Sequence, residues 1–331
     1  MRFFNDTPAA AGLLRSERPD SVMAAALVAR RRLAVRAGAL VELPPAEGQS
    51  GPRVEEVRLG DYGVLEVDEL PPRTGTDVIV LGDAVSRTPT IATRVAVLVG
   101  PYDVQLDVFG DRVWEGLAAA LIPSSPAPFK RMPLTWARAF GGSAQGEYGP
   151  IPHYKNPEGR GYYLSPAEAK GQPLPNVERA GVVPIKAWDD RPDPAGLGPY
   201  PSGWGLRTEK TIKVDREAEK VDVDFEGGYF DRAHPELSGK RVTGGKLVVR
   251  GMTDAGVLEI DLPDCPYAAH VELGGQSFQR PLELEEILLD LRSEPVLELG
   301  YRKMFRYPFI PHQRRVTRLV PAPRDEARAS A

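Results

Sequence analysis

Four histidines (His153, His234, His270, His312), one cysteine (Cys265) and 46 Asp plus Glu are the side chains with which this 331-residue chain would do chemistry. The histidines are widely separated, with no His-Glu-x-x-His pair and no carboxylates at ligand spacing, so no metal site is expected. His153 and His234 each stand beside a proline in a loop and His270 follows an apolar strand, which suits structural roles. Cys265, in Leu262-Pro263-Asp264-Cys265-Pro266, reads as a small hydrophobe beside a turn; a lone cysteine makes neither an internal disulfide nor a thiolate cluster. No Gly-x-Ser-x-Gly elbow is present. Gly141-Gly142-Ser143-Ala144-Gln145-Gly146 lacks the lysine and hydroxyl residue of a phosphate-cradling loop and reads as a flexible turn. Carboxylates such as Asp107, Asp111, Glu178, Asp189 and Asp190 keep a two-carboxylate hydrolase of β fold open as an alternative, although such an enzyme needs its acids roughly 5–10 Å apart across a cleft. The expectation is no catalytic residue, no cofactor and no metal, and a protein that holds another protein.

The elements that would position these residues are strands. Glycine and proline number 33 each, well above their usual combined share of roughly 12%, and call for many turns. With 42% hydrophobic and 27% charged residues the chain is long enough for a substantial core. A formal net charge of −4 offers no basic field for nucleic acid. Behind Met1-Arg2-Phe3-Phe4-Asn5-Asp6 no apolar run follows, and no window reaches the roughly 20 apolar residues of a membrane helix, so no membrane insertion and a cytoplasmic location are expected.

Val22 to Leu43 predicts a hairpin turning near Ala37-Gly38, with Arg30-Arg31-Arg32 at a solvated strand end and the middle arginine on the opposite face. Short β-type runs recur at Val54–Leu59, Gly63–Val67, Val78–Leu81, Thr90–Val99 and Val104–Phe109. After residue 245 they resume at Lys246–Arg250, Val257–Leu262, Ala268–Leu273 and Ser277-Phe278, with hairpin turns at Asp254-Ala255-Gly256 and Gly274-Gly275. Leu282–Leu291 also satisfies a helical stripe, but Arg292-Ser293-Glu294-Pro295 and the run Val296–Tyr301 behind it favour a strand, a turn and a returning strand. Leu117 to Trp204 is dense in Gly, Pro and aromatics with no sustained period; only Ser165–Gly171 reads as a short helix, capped by Ser165 with Pro166 first and Gly171 as stop. The predicted class is mainly β, with antiparallel sandwich- or barrel-like sheets at both ends and a packed irregular centre. The predicted division is an N-terminal β region over 1–116, a central segment over 117–205, a C-terminal β region over 206–321 and a flexible tail over 322–331.

The central block carries an ordered set of motifs. Gly110-Asp111-Arg112-Val113-Trp114 comes first, then Pro128-Phe129 and Met132-Pro133-Leu134-Thr135-Trp136-Ala137-Arg138-Ala139-Phe140-Gly141-Gly142. Asn156-Pro157-Glu158-Gly159-Arg160-Gly161, Leu174-Pro175-Asn176-Val177-Glu178 and Pro192-Asp193-Pro194-Ala195-Gly196-Leu197-Gly198-Pro199 follow. With Asn5-Asp6-Thr7-Pro8, Thr76–Gly82 and Phe225–Pro235 around it, this set resembles the bacterial family called domain of unknown function 2169, over nearly the whole chain. The resemblance implies a cytoplasmic adaptor or chaperone of type VI secretion that carries a cargo effector toxin to the VgrG spike or its PAAR tip. A structural component of the injection apparatus is a further alternative. After Arg207 the family's Gly-Thr-Tyr-Asp followed by tryptophan is replaced by Thr208–Asp215, which puts the usual partner in question.

The residue types suit holding. Between Pro157 and Gly161 a fixed turn aims the planar fork of Arg160, either at a buried acid such as Glu178 or at a partner's carboxylate. Strand alternation would set Asp111 and Val113 on one face and Arg112 and Trp114 on the other, with the guanidinium stacked on the indole. Trp136, Phe140 and Trp204 are of the types that fill cores and also anchor interfaces. Asn156 and Asn176 complete the candidate set.

Overall fold

The computed structural model describes residues 1–17, 22–36, 39–46, 51–117, 120–215, 217, 219–224, 228–308 and 310–322. The chain is mainly β, with several mixed and antiparallel sheets and few short helices. Its longest strand, Val22–Arg36, is buried without alternation from Ala24 to Arg30, because both of its faces are covered. The largest sheet runs in the order Ala10–Glu17, Val22–Arg36, Val296–Pro308, Glu283–Asp290, Asp77–Leu81, with Ala39–Leu43 also paired to Val22–Arg36. Its last pairing is parallel and the rest are antiparallel. A second sheet is antiparallel throughout, in the order Val177–Arg179, Tyr102–Phe109, Ala92–Val99, Gly245–Arg250, Val257–Leu262. The third orders Arg2–Asn5, Arg315–Pro321, Tyr267–Leu273 and Gln276–Pro281.

The two ends of the chain do not keep to separate sheets. Val22–Arg36 is zipped to Val296–Pro308 from Val22 opposite Pro308 to Ala34 opposite Val296, and Asp77–Leu81 lies beside Glu283–Asp290. One apolar core joins all three sheets through residues such as Leu27, Ile79, Val97, Leu106, Leu247, Val271, Leu299 and Leu319. Two smaller clusters belong to the centre. Trp114, Leu121, Phe140, Tyr163, Leu174 and Ile185 form one; Trp136, Ala139, Tyr200 and Trp204 form the other.

Local expectations hold in several places. Arg36 pairs with Ala39 across the predicted hairpin, whose turn residues Ala37 and Gly38 lie outside the described residues. The strand, turn and returning strand over Glu283–Pro308 form. The helix Pro166–Ala169 is capped by Ser165, whose Oγ accepts from the Glu168 N–H at 3.2 Å. Gly274 and Gly275 both take positive φ, 56° and 90°, in the two-residue turn between Leu273 and Gln276. The arginine triplet does not lie at a solvated strand end. Its strand runs on to Arg36, which puts Arg30 in mid-sheet and buries it, while Arg31 pairs with Glu42. No helix among the described residues is long and apolar enough to cross a membrane. Of the predicted tail, residues 323–331 lie outside the described residues.

Candidate functional site

The central motifs build a frame of internal bonds. Arg112 is buried, donates to Glu178 Oε1 and to the Pro175 carbonyl at 2.6 Å each, and lies over the Phe109 ring at 4.2 Å. The stacking on Trp114 expected from alternation is absent, because the strand begins only at Trp114 and its pleat does not extend back to Arg112. Trp114 instead fills the cluster around Phe140 and Tyr163. Glu178 is already engaged: its second oxygen accepts from the Ile185 N–H at 3.1 Å. Among the described residues Arg160 therefore takes neither Glu178 nor another acid; it donates to the Ala137 carbonyl at 2.8 Å and to Asn176 Oδ1 at 3.3 Å.

Asn176 is the hub of this frame. Fully buried, it accepts from Arg138 at 3.0 Å and from Arg160, and donates to the Phe109 carbonyl at 3.1 Å and to Asp111 at 3.0 Å. The equally buried Asn156 donates to the carbonyls of Trp136 and Phe140 at 2.8 and 3.0 Å. The indole of Trp136 donates to the Pro199 carbonyl at 2.7 Å, meets Tyr200 and Trp204 edge-on at 5.2 and 5.9 Å, and stacks on His234 at 6.0 Å. Trp136, Phe140 and Trp204 are thus core residues, and of the ten candidate residues Asp111 is the one whose side chain stands well exposed.

What the motifs enclose is a groove of about 520 Å³. Phe140, Val177, Val182, Val183, Ile185, Pro194 and Leu206 give it a largely apolar wall, with His234 and Pro235 from the segment after residue 228. Burial pushes the His234 pKa down to about 4, so the ring is neutral; Nε2 donates to the Pro194 carbonyl at 3.1 Å and Nδ1 accepts from the Glu236 N–H at 3.3 Å. The sequence reading passed over Val182 and Val183. Their signal was an apolar pair between Gly181 and Pro184 in an otherwise polar loop.

A second feature was missed altogether. Arg30, Arg53, Arg73, Arg232 and Arg302 are buried together with Asp68, Asp77, Glu285, Glu286 and the largely buried Glu298. Glu286 accepts from Arg30 at 2.8 Å, Arg53 at 3.0 Å and Arg73 at 2.6 Å; Asp68 pairs with Arg30 at 2.7 Å and Arg232 at 2.9 Å; Glu285 pairs with Arg302 at 2.6 Å. Two backbone features make this possible. A register shift between Leu284 and Glu286 opposite Tyr301 and Gly300 lets the consecutive Glu285 and Glu286 both turn inward. Gly300, between Arg30 and Glu286 in register, leaves the gap through which the guanidinium crosses: a Cβ there would stand 3.3 Å from Arg30 Nη1 and 3.1 Å from Glu286 Cβ. Charges this paired hold segments together and are not offered to solvent.

Cys265 is half-buried, and burial pushes its thiol up to about 11, which makes it a weak nucleophile. Among the described residues no group of three or more His, Cys, Asp or Glu has the geometry to hold a metal ion. The departure after Arg207 folds as the helix Gly205–Thr211 followed by a solvent-facing hairpin, Ile212–Asp215 with Lys220–Val223.

Residues 21–302 match the family model described as an uncharacterized protein conserved in bacteria, DUF2169. The chain belongs to that family. Comparison with curated proteins and with solved structures gave no match. The DUF2169 region takes in the motif frame, the groove and every arginine and acid of the buried cluster; it leaves out Arg2–Asn5 and Arg315–Pro321 of the third sheet.

Proposed function

We propose that this chain is a non-enzymatic adaptor or chaperone that binds a cargo effector in the cytoplasm and helps load it onto the VgrG spike or PAAR tip of a type VI secretion apparatus. The secretion context comes from the motif set that marks the family. The observation that carries the holding function is the direction in which the motif residues spend their bonding groups. Arg112, Glu178, Asn156, Asn176 and Arg160 bond to one another and to backbone carbonyls, so they build a rigid frame, and what that frame presents outward is an apolar groove. Of the five acids named for a hydrolase, four are engaged: Asp107 is tied to Arg94, Asp111 to Arg138 and Asn176, Glu178 to Arg112, and Asp190 to the N–H groups of Lys186 and Ala187, while Asp189 is exposed. These engagements support a binding role.

The test is capture from the native host. The affinity-tagged chain, isolated from cells with an active secretion apparatus, is expected to bring down a toxin together with VgrG or a PAAR protein. Deletion of its gene is expected to stop secretion of that toxin while the spike is still exported. Recovery of none of these proteins, or unchanged toxin secretion in the deletion strain, refutes the proposal.

A further inference from the structure

We infer that the groove receives a cargo segment whose bulky apolar side chains are flanked by lysine or arginine; this deepens the adaptor reading and rests on it. The apolar half of the inference follows from the lining. Val182 and Val183 are 54% and 81% exposed at the groove, and with the half-buried Leu206 they form an apolar wall open to water, backed by the buried Ile185 and Phe140. A cavity of about 520 Å³ is of the size that seats a few large side chains. Its neutral floor, with both nitrogens of His234 occupied, offers no charge for a buried partner charge to meet.

The charged half follows from the rim. Three of the four charged side chains that line the groove are acids, Glu178, Asp193 and Glu236, and Arg179 is the fourth. Glu178 is buried and sealed by Arg112, which leaves Asp193 and Glu236 as the exposed acids of the lining. Each sits in an ion pair whose carboxylate is the more exposed member: Asp193 is 63% exposed against 16% for Lys155, and Glu236 is 39% against 28% for Arg179. Lys155 is shared with a further exposed carboxylate, Glu209, at 3.3 Å, on the helix that supplies Leu206. Lys210 lies on the same helix but not on the groove lining. An incoming chain therefore meets carboxylates around an apolar slot, and basic residues beside its apolar anchors complement that edge.

The test uses the purified full chain as bait for a displayed library of random dodecapeptides. Selected peptides are expected to carry bulky apolar residues with Lys or Arg a few positions away, and to bind less tightly as salt is raised. Val183→Asp, at a position exposed enough to leave the thermal midpoint unchanged, is expected to weaken them by about tenfold or more. The double variant Asp193→Asn, Glu236→Gln is expected to lose the preference for basic flanks while keeping that for apolar anchors. No enrichment, winners with acidic flanks, or winners that bind Val183→Asp undiminished would each overturn the inference. A toxin captured from the host that still binds Val183→Asp sinks the groove and leaves the adaptor reading standing. Basic-flanked apolar peptides selected at the groove, with no toxin captured from the host, do the reverse.

Discussion

Glu286 shows how a single residue can carry a large share of this fold. Burial alone would raise its pKa, but Arg53, Arg73 and Arg30 outweigh that cost and hold its carboxyl well below the ordinary range; Arg30, Arg53 and Arg232 do the same for Asp68. Both carboxylates stabilise the fold above their unfolded pKa near 4, and the contribution is lost as pH falls below it. Glu286→Ala leaves three guanidinium groups buried with one fewer acid, and is expected to cost about 3–5 kcal/mol in urea unfolding. Asp77 has the opposite sign. Burial pushes its pKa up to about 7, against the pull of Arg73 at 3.1 Å, so its contribution is full below pH ~4 and is lost as pH rises through 7. Asp77→Asn is expected to remove the decline in stability between those limits; an unchanged pH profile for the variant would show that Asp77 is not its source.

At the scale of elements, the motif turns depend on close backbone approach. Gly141 has φ of +143°, and a Cβ there would fall 2.1 Å from the Asn156 carbonyl oxygen. Gly141→Ala thus combines backbone strain of about 1–3 kcal/mol with a collision that pushes Asn156 off its bonds to Trp136 and Phe140. Gly149, with φ of +130° and open space around its Cβ position, provides the comparison. Gly141→Ala is expected to lower the thermal midpoint well beyond Gly149→Ala; equal shifts would mean that Asn156 does not brace the turn. The arginine triplet teaches a related lesson. Alternation correctly sets Arg31 apart from Arg30, yet which face is buried depends on the strands laid beside it, Val296–Pro308 above all.

For the whole molecule, the pairing of early with late strands makes the fold indivisible at residue 205. The strands Val22–Arg36 and Asp77–Leu81 would lose Val296–Pro308 and Glu283–Asp290, and Glu285, Glu286 and Glu298 would be removed from beside Arg30, Arg53 and Arg73. A chain of residues 1–205 is expected to lack cooperative thermal unfolding and dispersed amide resonances. A folded 1–205 fragment would refute this account of the sheets. Pairings this distant in sequence also predict slow refolding, in the range of ms to s or longer, readable by stopped-flow fluorescence of the buried tryptophans.

The β class, the hairpin at Gly274-Gly275, the capped helix after Ser165 and the return at Arg292–Pro295 were legible because each rests on residues adjacent in the chain, where turn geometry and side-chain period act locally. The ordered motifs likewise marked the centre as packed, and Trp136 and Trp204 are buried there, while Trp188 is half-buried against the cluster around Phe140. Partner choice among the charges was not legible. Arg112 and not Arg160 takes Glu178, and Arg30 finds acids more than 250 positions away, because a guanidinium pairs with whichever carboxylate the sheet register brings within reach. The groove has the same origin: Phe140, Val183, Leu206 and His234 come from four separate stretches of chain and share a wall only once those stretches pack together, so no local pattern encodes it.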